Sequence, residues 1–133
     1  MTMNTLKHGE NDIMKGKIPE NILGPVIDSL SVELTLIDTD DKYIMWSEVE
    51  KPIFNRPDNI LGKDVMVCHP EKSHPVIKKL LDSMKSGEIN NKVQIIEKPG
   101  PDGGMVKIRM EYLAIRDSEG KYLGCLELCN YIL

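Results

Sequence analysis

The chain has 133 residues, 41% of them apolar and 29% charged, with a net charge of −4. That is enough for one domain with its own core, needing neither disulfides nor structural metal. Lys and Arg are scattered rather than massed, which argues against nucleic-acid binding, and no apolar run nears the roughly 20 residues of a membrane span.

Residues 1–17 are polar and aperiodic and lack the apolar stretch of a signal peptide, so a flexible N-terminal extension is expected there. A single domain is expected over residues 18–133. Pro19 suits a first helical turn, and Ile22, Leu23, Val26, Ile27 and Leu30 follow at helical spacing. Gly24-Pro25 is expected to interrupt that helix. Val32–Ile37 alternates as a strand, Asp38–Asp41 reads as a turn, and Lys42–Trp46 returns as the second strand of a hairpin. Between Ser47 and Gly62, Pro52 and Pro57 favour short helical turns. A longer helix follows Ser73, carries Val76, Ile77, Leu80, Leu81 and Met84, and ends near Gly87.

Val93–Ile96 begins a strand, and Lys98–Gly104 is rich enough in Pro and Gly for a long hairpin loop. Val106, Ile108, Met110 and Tyr112 alternate with Lys107, Arg109 and Glu111. Asp117–Gly120 makes a turn, and Tyr122–Tyr131 runs back. The order implies an α+β fold, a five-stranded antiparallel sheet with helices across one face.

The densest chemistry lies in Cys68-His69-Pro70-Glu71-Lys72-Ser73-His74-Pro75, which holds a thiol and two of the three histidines. A zinc site of Cys68, His69 and His74 would want a fourth ligand. Cys68 beside His69 suggests a nucleophile and base, but no third group orients them, so no enzyme is expected. Alternatively, Ser73 or His74 caps the helix and Pro75 fills its first turn. Three cysteines make no disulfide framework, which points to a reducing cytoplasm. Cys125 and Cys129 lie about 13 Å apart along one strand, too far to bridge, and read as small buried residues.

This element order resembles that of a PAS domain from about Ile18 to Ile132. Leu36-Ile37-Asp38, Ile60-Leu61-Gly62-Lys63 and Ala114–Gly120 agree with it locally. The Cys68–His74 segment resembles PAS modules fused to hemerythrin-like proteins. The resemblance implies a sensor with a cavity between sheet and helices, and haem is its sharpest cofactor expectation. Haem-binding members take an axial histidine from the long helix, which implies His74 as the metal ligand, with His69 or Cys68 as alternatives. His74, Ile77 and Leu81 share a helical face. Val106, Ile108, Met110, Leu126 and Leu128 would form the facing wall, and Lys72, Lys78 or Arg109 would pair with propionates. Flavin photochemistry is not expected, because Val67-Cys68-His69-Pro70 lacks the motif of light-sensing members. The other reading is a cofactor-free interaction or dimerisation module. A homodimer is expected in either case, through the Ile18–Leu30 helix and an outer sheet face bearing Leu123, Cys125 and Cys129. A separate output protein, with no nucleic acid or membrane partner, completes the expectation.

Overall fold

The structure, a computed structural model, describes residues 14–132, so the extension expected over residues 1–17 falls mostly outside the described residues. Helix α1 spans Glu20–Asp28 and runs through Gly24 and Pro25 without the expected interruption. Proline removes one backbone bond there, but the short helix is solvent-facing and water can serve the freed carbonyl. Strand β1 (Glu33–Ile37) turns into β2 (Tyr43–Trp46). The Asp38 carboxylate fixes this turn by accepting from the amides of Asp40 at 2.8 Å and Lys42 at 3.0 Å.

Three single 3-10 turns follow, at Asp58–Ile60, Val65–Cys68 and Glu71–Ser73, where proline spacing forbids a long helix. Helix α2 (His74–Ser86) then holds Pro75 in its first turn, where a missing N–H is harmless. Gly87 ends it in the left-handed conformation, φ 85°. Strands β3 (Asn91–Pro99), β4 (Met105–Arg116) and β5 (Tyr122–Ile132) complete an antiparallel sheet in the order β2-β1-β5-β4-β3. Strand β3 is longer than its apolar alternation suggests, because Lys98 and Pro99 pair with Val106 and Met105 and the hairpin closes only at Gly100–Gly104.

The register defines two faces. Toward α2 point Thr35 and Ile37 of β1, Cys125, Glu127 and Cys129 of β5, and Ile108, Met110, Tyr112 and Ala114 of β4. This reverses the expected facing of β5. Cys125 and Cys129 lie under the helices, while Leu126 and Leu128 lie on the other face, in register with Leu36 and Leu34. Strand β5 is apolar on both sides, so alternation could not choose between them.

Two apolar clusters hold the layers together. Ile37, Tyr43, Ile60, Val65, Leu81, Met84 and Cys125 interlock at the β1–β2 end, and Ile53, Ile108, Met110 and Cys129 at the other. Met84 is fully buried. The end of α2 is anchored by Arg116, whose Nη2 donates to the Met84 carbonyl while its guanidinium lies over the Tyr122 ring.

Candidate functional site

The segment that leads into α2 is built from its own hydrogen bonds. Asp64 caps the Val65–Cys68 turn, its carboxylate accepting from the Met66 amide at 2.9 Å. This turn delivers Cys68 and His69 to the space between α2 and the sheet. The Nδ1–H of His69 donates to the Val65 carbonyl at 2.8 Å, which leaves the lone pair of the neutral ring on Nε2. Cys68 Sγ lies 2.7 Å from the Tyr43 hydroxyl and 3.6 Å from His69 Nδ1. His74 is turned the other way. Its Nε2–H donates to the carbonyls of Met66 and His69, at 3.1 and 3.0 Å, and so fastens the turn to the start of α2.

Between the two apolar clusters, a polar row crosses the inner face. Thr35 of β1, Glu127 of β5, Tyr112 of β4 and Lys92 of β3 are successive cross-strand partners. Arg56, on the segment between β2 and α2, reaches down to this row and donates through Nη2 to Glu127 at 2.9 Å. Both side chains are mostly buried, at 13% and 16% exposure. Removing one partner of such a pair costs about 3–5 kcal/mol, because the other charge is left buried alone. Arg56 Nε is itself buried with no hydrogen-bond partner among the described residues, a deficit of about 1–3 kcal/mol.

Above the row is a cavity of about 690 Å³, within the roughly 300–1,000 Å³ range of small-molecule sites. Helix α2 contributes Val76, Ile77 and Leu80, the lead-in contributes Cys68, His69 and Lys72, and the sheet contributes Lys92, Gln94, Ile96, Lys98, Met110, Tyr112 and Glu127. A smaller chamber of about 80 Å³, bounded by Thr35, Leu81 and Cys125, shares Arg56, His69 and Glu127 with it. The Lys98 ammonium sits 4.8 Å over the Phe54 ring and donates to the Ile53 carbonyl at 2.6 Å, closing one end. Burial, with Glu127 as a lesser cause, holds the Tyr112 hydroxyl protonated well above the usual tyrosine range.

Of the residues expected from sequence, Cys68, His69, Lys72, Ile77 and Met110 line the cleft, and Leu81 lines the chamber beside it. His74 does not line either, and Leu126 is on the opposite face of the sheet. A haem in the cleft would not meet His74, which lines neither space. Lys78 and Arg109, expected near propionates, pair instead with Asp82 and Glu111, each at 3.0 Å. No cluster of three metal-ligating side chains occurs among the described residues. Arg56, Glu127, Tyr112, Lys92 and Lys98 escaped the sequence reading. Glu127 did carry a signal, as a carboxylate set among apolar residues in Leu126-Glu127-Leu128-Cys129.

A family model described as a PAS domain matches residues 23–132. The fold is similar to that of a C-terminal domain from Streptococcus mutans, with a TM-score of 0.78 and 21% identity over 94% of this chain and 93% of that one. It is also similar to the PAS domain of Bordetella pertussis BvgS, with a TM-score of 0.64 and 15% identity over 85% of each chain. Vibrio cholerae VqmA, in a structure bound to DPO, matches with a TM-score of 0.54 and 16% identity over 82% of this chain and 55% of that one. No curated protein sequence matches significantly.

Proposed function

The chain belongs to the PAS domain family, and on that premise we propose that it senses a small organic molecule held in the cleft beneath α2. PAS domains are in general sensory and signalling modules rather than enzymes, so the cleft is read as a receptor site. The observation that carries this reading is a half-filled interior. At one end sheet and helix interlock through Tyr43, Leu81, Met84 and Cys125. Toward β3 the same two layers stand apart around some 690 Å³ of mixed polar and apolar wall. A module that only docks onto other proteins gains nothing from such a space. A protein of similar fold, VqmA, has been seen bound to DPO, in keeping with a small-molecule role. The response would pass to a separate output protein in a reducing cytoplasm, where three unpaired thiols persist. No helix among the described residues is long and apolar enough to cross a membrane.

Haem is a second reading, and one observation favours it: His69 lines the cleft, and its Nε2 has no hydrogen-bond partner among the described residues. Two measurements separate the readings. Native mass spectrometry of the protein isolated from its own cells should find a small organic molecule bound. Haemin titration should produce no Soret band that depends on either histidine. A Soret band lost in His69→Ala would overturn the small-molecule reading in favour of haem.

A further inference from the structure

The charge of the cleft runs against that of the chain. The chain carries −4 overall, yet Arg56, Lys72, Lys92 and Lys98 line the cleft against a single carboxylate, Glu127. That carboxylate is already engaged by Arg56 at 2.9 Å. Among the described residues, no carboxylate pairs with Lys72, Lys92 or Lys98. Charges of one sign set in low-dielectric walls focus their potential into the opening. A guanidinium or an ammonium receives a carboxylate or phosphate oxygen in a charge-assisted bond. Beside these cations stand Val76, Ile77, Ile96 and Met110, which offer an apolar strip for a short hydrocarbon body.

We infer that the ligand is a small organic anion, a carboxylate or phosphate ester with an apolar body, whose charged group sits among Arg56, Lys72, Lys92 and Lys98. This inference rests on the reading of the cleft as a ligand site. The lysines balance the anion's remaining charge, and Lys92 lies in the same cross-strand row as Glu127. Glu127 need not be displaced, because Arg56 meets it through Nη2 while still lining the cleft. Occupancy ties the segment that carries Arg56 to strand β3, which gives a binding event a mechanical route into the sheet.

The test is calorimetric titration of the full chain with hexanoate, hexyl phosphate, hexanol and hexylamine, which share one apolar body. At least one anion should bind, at least about tenfold more tightly than the alcohol or the amine, and more weakly as salt rises. The preferred anion identifies the headgroup. Lys92→Gln should weaken anion binding alone. The double variant Lys72→Gln/Lys92→Gln removes two cleft cations that pair with no carboxylate among the described residues, and should lose most of the preference for anions while still binding hexanol. Hexanol binding as tightly as both anions overturns the inference and leaves the cleft a ligand site. An unchanged anion preference in the double variant also overturns it. No binding by any of the four overturns the inference and the cleft reading together.

Discussion

Cys125 and Cys129 project from β5 beneath α2, and burial, with Glu127 as a second cause, pushes the Cys125 thiol up from 9.0 to about 12. The same two causes raise Cys129. A thiol raised in this way keeps its proton in the folded state where the unfolded chain would lose it. Its contribution to stability is whole below pH 9.0 and is lost as pH climbs through the folded value. Tyr43, Tyr112 and Tyr122, raised from 10.0 chiefly by burial, act in the same direction. Urea midpoints should therefore fall steadily above about pH 9, and a flat profile would contradict this. In the native protein, alkylation should reach exposed Cys68 and spare the two buried thiols until denaturant is added. The burial of both thiols was legible from the strand they occupy. Their facing was not, since Leu126 and Leu128 make the other side of β5 equally apolar. His74 was legible as a residue at a helix start, but its role depends on two carbonyls that only the folded 3-10 turn brings within reach. Arg56 was hidden more deeply, because its partner Glu127 is 71 residues away in sequence.

Among the elements, the strands and α2 could be read from periodicity because each packs one side against the core. Gly124 shows what periodicity leaves out. It pairs with Ile115, beside a break in the β4–β5 register, and has φ 153°. A Cβ there would run into the Ile37 carbonyl oxygen on β1. An isolated glycine in a strand pattern is the usual sign of such close backbone approach. Gly124→Ala should therefore destabilise the protein by more than about 1 kcal/mol, measured by urea denaturation; an unchanged midpoint would contradict the packing described for β1 against β5. Helix α1 departed from expectation for the opposite reason. It has no buried residues, so no tertiary demand straightens or breaks it at Gly24-Pro25. The polar row from Thr35 to Lys92 is a product of register across four strands, and no local pattern announces it.

For the molecule as a whole, α1 presents Ile22, Leu23 and Val26, with Leu30 just beyond its end, at 40–46% exposure, a stripe with no partner large enough to bury it within the described residues. The outer sheet face adds Leu36, Leu113, Leu126 and Leu128 rather than the expected cysteines. A homodimer joined through these surfaces is our proposal for covering them. Sedimentation should give twice 15.0 kDa, and deleting residues 1–30 should return a monomer; a full-length chain that sediments as a monomer at micromolar concentration would refute the dimer. The cleft lies on the opposite face, so ligand and partner would not compete for one surface. The most direct test of a ligand-sensing cleft is a backbone-amide NMR map of the full chain during titration with the molecule recovered by native mass spectrometry. Saturable shifts should concentrate at residues 54–56 and 68–73, along α2 from Val76 to Leu80, and on β3–β5 around Lys92, Tyr112 and Glu127. Shifts confined to α1 and the outer sheet face would contradict the account and identify the chain as an interaction module.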